Sequence, residues 1–295
     1  MPSQHDNALL RIGVFIDGTY FSHVSNYYLY EHERRSRLSI TGLYAYIRDE
    51  IARQENVDRR FCQIVDAHYF RGRLNAKVSQ EQDSLYRERQ WDDVLIREGV
   101  TMHFLPVTKD SKEKGIDVWF ALEAFELAIY KRFNVSVLIT GDGDFVPLVR
   151  KLNTLGTRVM LLAWDFDSMR DGKVYTTRAS QSLINEVTYP VMMSDEIDSR
   201  SRKNDPMIGT LFVKPKEVIV PAGGVEQTGT IISIISERGY GFIRPAEGGD
   251  NLFFHVTSLI DCTIDELEHG TRVSYRVIQS ERGLNAVDIR LIPAA

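Results

Sequence analysis

Four aspartates stand where a chain of this pattern could hold a metal ion. Asp17 closes the apolar run Leu10–Ile16, and Asp142 and Asp144 flank Gly143 just after the run Val135–Thr140. Asp117 opens the long apolar stretch that begins at Ile116. Carboxylates gathered at one edge repel one another unless a cation neutralises them. An all-oxygen donor set favours Mg2+ or Mn2+. Such an ion activates water and stabilises the charge of an in-line phosphoryl displacement. Taken singly, each Asp also fits a turn or helix-cap position, where Asp is common for backbone reasons. The case rests on several falling at one edge.

The elements around them predict that edge. Leu10–Ile16, Phe61–Phe70, Thr101–Val107, Val135–Thr140 and Arg158–Trp164 read as strands. Between them, Leu43, Ile47 and Ile51 recur at helical spacing, and Leu85–Arg97, Ile116–Phe133 and Phe145–Leu155 also read as helices. Strands alternating with helices of this length predict a parallel sheet covered on both faces. Functional groups in such sheets lie beyond the carboxyl ends of the strands. From Pro190 the texture turns polar, and Pro190–Glu226 reads as a linker with one extended piece at Ile208–Val213. The remainder has short strands and turns, which predicts a small all-β module.

That module carries the second kind of chemistry. In Tyr240-Gly241-Phe242 the aromatics are two apart and share one strand face, as do Phe253 and His255. Flat rings on one sheet face form a stacking platform for unpaired bases, at about 1–3 kcal/mol per base. The competing arrangement turns those rings into the barrel core.

Three motifs together carry a family resemblance: Val14-Phe15-Ile16-Asp17-Gly18, Lys114-Gly115-Ile116-Asp117-Val118, and Leu138-Ile139-Thr140-Gly141-Asp142-Gly143-Asp144-Phe145. Their order and spacing resemble the NYN domain family (LabA-type relatives of the PIN nucleases) over residues 9–188. The resemblance implies a PIN-like three-layer α/β/α fold and a metal-dependent ribonuclease. It also implies that Asp17, Asp117, Asp142 and Asp144 hold Mg2+ or Mn2+ and position the attacking water. The family commonly carries Asn three residues after the first Asp, where this chain has Tyr20. Thr19 offers a hydroxyl and Lys114 a charge for phosphate. Isolated nuclease domains of this type often pair, so a homodimer is a further expectation.

Gly229-Thr230-Ile231, Arg238-Gly239-Tyr240-Gly241-Phe242-Ile243 and Leu252-Phe253-Phe254-His255-Val256 resemble the cold-shock domain, an OB-type β-barrel, over 227–293. The resemblance implies binding of single-stranded RNA through Arg238, Tyr240, Phe242, Phe253 and His255. Ser233 stands where that family has a Trp, and Ile232 where a basic residue is common. Residues 227–295 hold 6 Arg and no Lys against 9 acids, a net −3, so binding should be weak and salt-sensitive. The domain expectation is therefore 9–188 nuclease, 189–226 linker and 227–293 barrel.

Bulk properties bound the alternatives. The net charge of −5 disfavours a strongly basic nucleic-acid binder. The arginine pairs and triplets Arg34, Arg35 and Arg37, and Arg71 with Arg73, offer local cationic patches. Two cysteines 200 positions apart give neither a disulfide framework nor a zinc knuckle. A polar N-terminus and the lack of any apolar run of about 18 residues predict a cytoplasmic protein without a membrane span. A phosphohydrolase of the haloacid-dehalogenase type needs a nucleophilic Asp two residues before Asp17, where Phe15 stands. A non-catalytic RNA-binding regulatory protein is the alternative, favoured by Tyr20.

Overall fold

The computed structural model describes residues 9–81, 84–107, 115–170, 173–202, 205–213, 226–235, 239–260, 262–280 and 283–292. They form two units, Met1–Lys214 and Pro215–Ala295. Lys114 and Arg238 lie outside the described residues.

The first unit is built on β1 (Leu10–Asp17), β2 (Cys62–Leu74), β3 (Thr101–Val107), β4 (Val135–Ile139) and β5 (Arg158–Ala163). An antiparallel hairpin, β6 (Phe166–Arg170) and β7 (Lys173–Thr177), precedes the last sheet strand, β8 (Tyr189–Met192). The sheet order is β3-β2-β1-β4-β5-β8, and every pairing in it is parallel. Such strands are buried on both faces, which is why β1 and β4 are near-continuous apolar runs rather than alternating ones. All five residues of β4 are buried.

Helices cover both faces. After β1 come α1 (Gly18–Tyr30) and α2 (Ile40–Glu55), and after β2 come α3 (Ala76–Glu81) and α4 (Leu85–Arg97). Residues of α1, α2 and α4 pack one face through Phe21, Val24, Leu43, Ile47, Ile51 and Leu95. On the other face lie α5 (Ile116–Lys131), α6 (Val146–Thr154) and α7 (Gln181–Glu186), through Phe120, Ala124, Leu148, Leu152 and Leu183. The result is a three-layer α/β/α unit. Strand order reverses between β1 and β4, where chain growth leaves one side of β1 for the other. That reversal opens a crevice beyond the carboxyl ends of these two strands.

The expected linker from 189 differs in its first half. Residues 189–213 carry β8, α8 (Met193–Asp198) and α9 (Pro206–Thr210), and the segment 208–213 expected to be extended contains the end of a helix instead. Ile197, Ile208, Leu211 and Phe212 join the core under α1 and α2. Gly42 in α2 faces α9 so closely that a Cβ would run into the Thr210 carbonyl oxygen. The charged stretch from Ser194 to Pro206 masked these helices, because their apolar residues are few and widely spaced.

The second unit is a closed barrel of β9 (Gln227–Ile235), β10 (Tyr240–Pro245), β11 (Leu252–His255), β12 (Arg272–Ser280) and β13 (Gly283–Leu291), in the order β10-β11-β13-β12-β9. Its core is Ile231, Ile243, Leu252, Phe254, Val273, Tyr275, Ala286 and Ile289. This is an OB-type arrangement, in which closure removes exposed sheet edges. Among the described residues, no helix is long and apolar enough to cross a membrane.

Candidate active site

The aspartates sit at the switch point. Asp17 ends β1 and caps α1, its Oδ1 accepting from the backbone N–H groups of Thr19 at 3.1 Å and Tyr20 at 3.0 Å. An Asp at an N-cap satisfies donors that the first helical turn leaves open. Its other oxygen, Oδ2, accepts from the Thr140 hydroxyl at 3.3 Å. The same hydroxyl accepts from the Asp142 N–H at 3.3 Å, and Thr140 is wholly buried. One side chain therefore ties the end of β1 to the loop after β4.

Asp142 caps the short turn Gly143–Phe145, its Oδ1 accepting from the Asp144 N–H at 2.9 Å. Both Asp142 and Asp144 are exposed. Among the described residues, Asp142 is bonded through Oδ1 alone and the Asp144 carboxylate takes no hydrogen bond or ion pair. The loop is held from behind, where Ser180 N–H donates to the Gly141 carbonyl at 2.9 Å. Asp117 lies exposed in the first turn of α5. The rings of Phe120 and Phe145 meet at 4.5 Å, which brings the start of α5 against the turn carrying Asp144.

These oxygens are not gathered into a single coordination sphere. Among the described residues, three or more metal-type donors lie within 4.8 Å of one another only at His68, His103 and Glu123. Two of the aspartates direct an oxygen at their own backbone, and like charges keep carboxylates apart. The donor set nevertheless fits a hard divalent ion in kind. It offers oxygens only, from three separate elements, and two of the carboxylates carry little or no bonding of their own.

Tyr20 brings a role that the sequence did not disclose. Its hydroxyl accepts from the Trp164 N–H at 2.7 Å and donates to the Trp164 carbonyl at 3.1 Å. Burial pushes this phenol well above its ordinary range, and the charges of Asp165 and Asp17 push it further, against the Trp164 backbone hydrogen bond. Tyr20 thus stays protonated and braces the Asp17 turn against the end of β5. Asp165, also missed in the sequence, follows β5 at the same edge and accepts from the Ala179 N–H at 2.8 Å. Its only signal was its place one residue beyond an apolar strand.

Beside Asp17, a cleft of about 450 Å³ is lined by Thr19, Ser22, His23, Asn26, Arg71 and Met169, among others. Arg71 has no ion-pair partner among the described residues. The other arginines of the two patches are engaged: Arg73 with Asp92 and over the Phe104 ring, Arg37 with Asn26, Arg34 over Phe212, and Arg35 with the Tyr30 carbonyl.

On the barrel, Tyr240 pairs with His255 and Phe242 with Phe253 across β10 and β11. The rings of Tyr240, Phe242 and Phe253 lie 5.6–6.1 Å apart and are partly exposed, and His255 is exposed. Gly241 and Phe254, at the alternate positions, are buried. A Cβ on Gly241 would collide with the Phe254 ring, so glycine there lets the strand close over the core. The rings face outward rather than into the core.

A parallel sheet bearing carboxylates at its switch point, followed by a small barrel with an outward aromatic face, defines the class as a nuclease-like domain joined to an OB-type module. The chain belongs to the NYN domain family: residues 11–192 match the NYN domain, and residues 227–292 match the "Cold-shock" DNA-binding domain. The barrel is 36% identical over 62 residues to cold shock-like protein CspG of Shewanella violacea, covering 21% of this chain and 89% of that one. It is 33% identical over 66 residues to the major cold shock protein CspA of Pseudomonas aeruginosa, covering 22% and 94%. A crystal structure of a protein of unknown function from Vibrio parahaemolyticus is similar over 66% of this chain and 98% of its own, at 22% identity and a TM-score of 0.42.

Proposed function

We propose that this protein is a metal-dependent ribonuclease whose barrel holds single-stranded RNA while the NYN domain cuts it. The observation that carries the reading is the Thr140 bridge between Asp17 and the Asp142 loop at the strand-order reversal. Asp17, Asp117, Asp142 and Asp144 would hold Mg2+ or Mn2+, which when bound supplies charge neutralisation at the phosphate and acidity for an attacking water. Of the chain's own groups, the exposed carboxylates of Asp117, Asp142 and Asp144 would be the candidates to accept a proton from water. Thr19 and Arg71 line the cleft beside Asp17, where a hydroxyl and a guanidinium without an ion-pair partner among the described residues suit the phosphate backbone. Thr140 and Tyr20 position the Asp17 turn without touching substrate.

On the barrel, Tyr240, Phe242 and Phe253 supply stacking faces and His255 an exposed edge for bases. Tethering raises the local concentration of RNA, so weak binding suffices. The exposed apolar positions Val118, Leu122, Ile129 and Tyr130 on α5 support pairing of two copies, which size-exclusion with light scattering would test.

The alternative is an RNA-binding regulatory protein without cleavage. It is favoured by the aspartates not forming a group of three close donors among the described residues. Labelled single-stranded RNA incubated with Mn2+ separates the two: cleavage stopped by chelator supports the nuclease, and retained binding with intact RNA supports the regulator.

A further inference from the structure

Under α5, on the two strands β2 and β3 beside β1, two histidines from neighbouring strands face each other. His68 Nδ1 on β2 lies 2.9 Å from His103 Nε2 on β3. Both are buried, at 4% and 8% exposure. Aromatic rings enclose them: Phe15 stacks on His68 at 5.4 Å, Phe70 stacks on His103 at 4.4 Å, and Trp119 meets His103 edge-on at 4.9 Å. Glu123 of α5 completes a trio whose ligand atoms lie within 4.8 Å of one another.

A single N–H···N hydrogen bond would account for the two facing nitrogens, but not for the carboxylate beside them. Trp119 Nε1 donates to Glu123 Oε2 at 3.3 Å, a contact that orients the carboxylate and engages one of its oxygens. Behind His68, Nε2 lies 3.1 Å from Asp66 Oδ1, and the other Asp66 oxygen pairs with Lys131 of the same helix, α5. The Nε2–Oδ1 contact is not aligned as a hydrogen bond, so Asp66 contributes negative charge behind the ring rather than a fixed tautomer.

We propose that His68, His103 and Glu123 form a second metal site, one that takes a Zn2+-type ion and pins α5 to β2 and β3. Two imidazoles and one carboxylate are the donor set of zinc rather than of Mg2+, which prefers oxygens only. Metal–nitrogen bonds of about 2.0–2.1 Å in a tetrahedron place ligand nitrogens about 3.3 Å apart. The 2.9 Å pair must therefore open by only a few tenths of an ångström. Three protein ligands leave the fourth corner of the tetrahedron to water, on the side of the partly buried Glu123. Asp117 lies on the same helix, six residues before Glu123, or about 9 Å along its axis. An ion at the trio would fix where the first turn of α5 stands against the active edge.

The test uses the full chain, stripped with chelator and titrated with Co2+ as the spectroscopic probe. One equivalent should produce the strong visible bands of a tetrahedral site, displaced by one equivalent of Zn2+ and untouched by excess Mg2+. Zn2+ should raise the thermal midpoint by several degrees. His103→Gln should abolish the bands, Glu123→Gln should weaken Co2+ affinity tenfold or more, and Asp142→Asn should leave both unchanged. If His103→Gln does not fold, the half-exposed Glu123 position carries the comparison. Absence of bands in the unaltered chain, a smaller effect of Glu123→Gln, or loss of the bands in Asp142→Asn would each overturn the assignment. Failure here leaves the nuclease reading standing, because that reading rests on the aspartates.

Discussion

The Thr140 hydroxyl donates to Asp17 Oδ2 and accepts from the Asp142 N–H, both at 3.3 Å, so one buried group sets the distance between two proposed ligands. Thr140→Val keeps the shape and removes the bridge. It should cost about 1–3 kcal/mol of stability, because the Asp142 N–H loses its partner. It should also weaken Mn2+ binding roughly 10–100-fold, as loss of a ligand-orienting group does. Calorimetric titration with Mn2+ beside urea unfolding checks both numbers.

Tyr20 fills the position where the family commonly has Asn, and it bonds both backbone groups of Trp164. Tyr20→Phe should destabilise the protein by about 1–3 kcal/mol by stranding those groups. Tyr20→Asn, which installs the family residue, should destabilise more and not raise cleavage, since the ring packs against Gly141 and the Trp164 ring. Urea midpoints and initial cleavage rates for the two variants decide this.

The strand runs and the three motifs were legible because a doubly covered parallel strand has no polar alternation to obscure it. That Asp17 and Asp142 stand at strand ends followed from that alone; that β1 and β4 are neighbours came only with the structure. Three things were not legible. The hairpin of β6 and β7 is exposed along Lys173–Thr176 and lacks a clear periodicity. Helices α8 and α9 hold the core by a few apolar residues inside a charged stretch. The trio of His68, His103 and Glu123 draws on residues 35 and 20 positions apart in sequence, and only the pairing of β2 with β3 under α5 brings them together.

Adjacent residues on β11 should behave oppositely. Phe253 is partly exposed among the outer rings, and Phe254 is fully buried in the barrel core. Phe253→Ala should weaken single-stranded RNA binding by about 1–3 kcal/mol per lost stack with little change in melting. Phe254→Ala should cost about 3–5 kcal/mol of barrel stability. Fluorescence anisotropy at two salt concentrations, with calorimetric melting, separates the effects.

Raised tyrosines set an alkaline limit, Tyr46 and Tyr189 among them, beside the more strongly raised Tyr20, Tyr28 and Tyr44. Tyr46 is pushed up to about 12 by burial, with the Glu50 charge adding to it. Tyr189 is pushed up to about 12 by burial, then by its hydrogen bond to Glu55. Each hydroxyl keeps its proton in the folded chain above the ordinary value of 10.0. Between about pH 10 and 12 the folded state therefore binds more protons than the unfolded one, and stability falls as pH rises. Urea midpoints measured from pH 9 upward should decline across this window, and Tyr46→Phe should make the decline shallower.

The most direct test of the aspartate edge is single-turnover cleavage of end-labelled single-stranded RNA in Mn2+, comparing the unaltered chain with Asp142→Asn. The proposed mechanism predicts products with 5′-phosphate and 3′-hydroxyl ends, and at least a hundredfold slower cleavage in the variant at unchanged RNA affinity. Equal rates in the two proteins, or products ending in 2′,3′-cyclic phosphate, would contradict it.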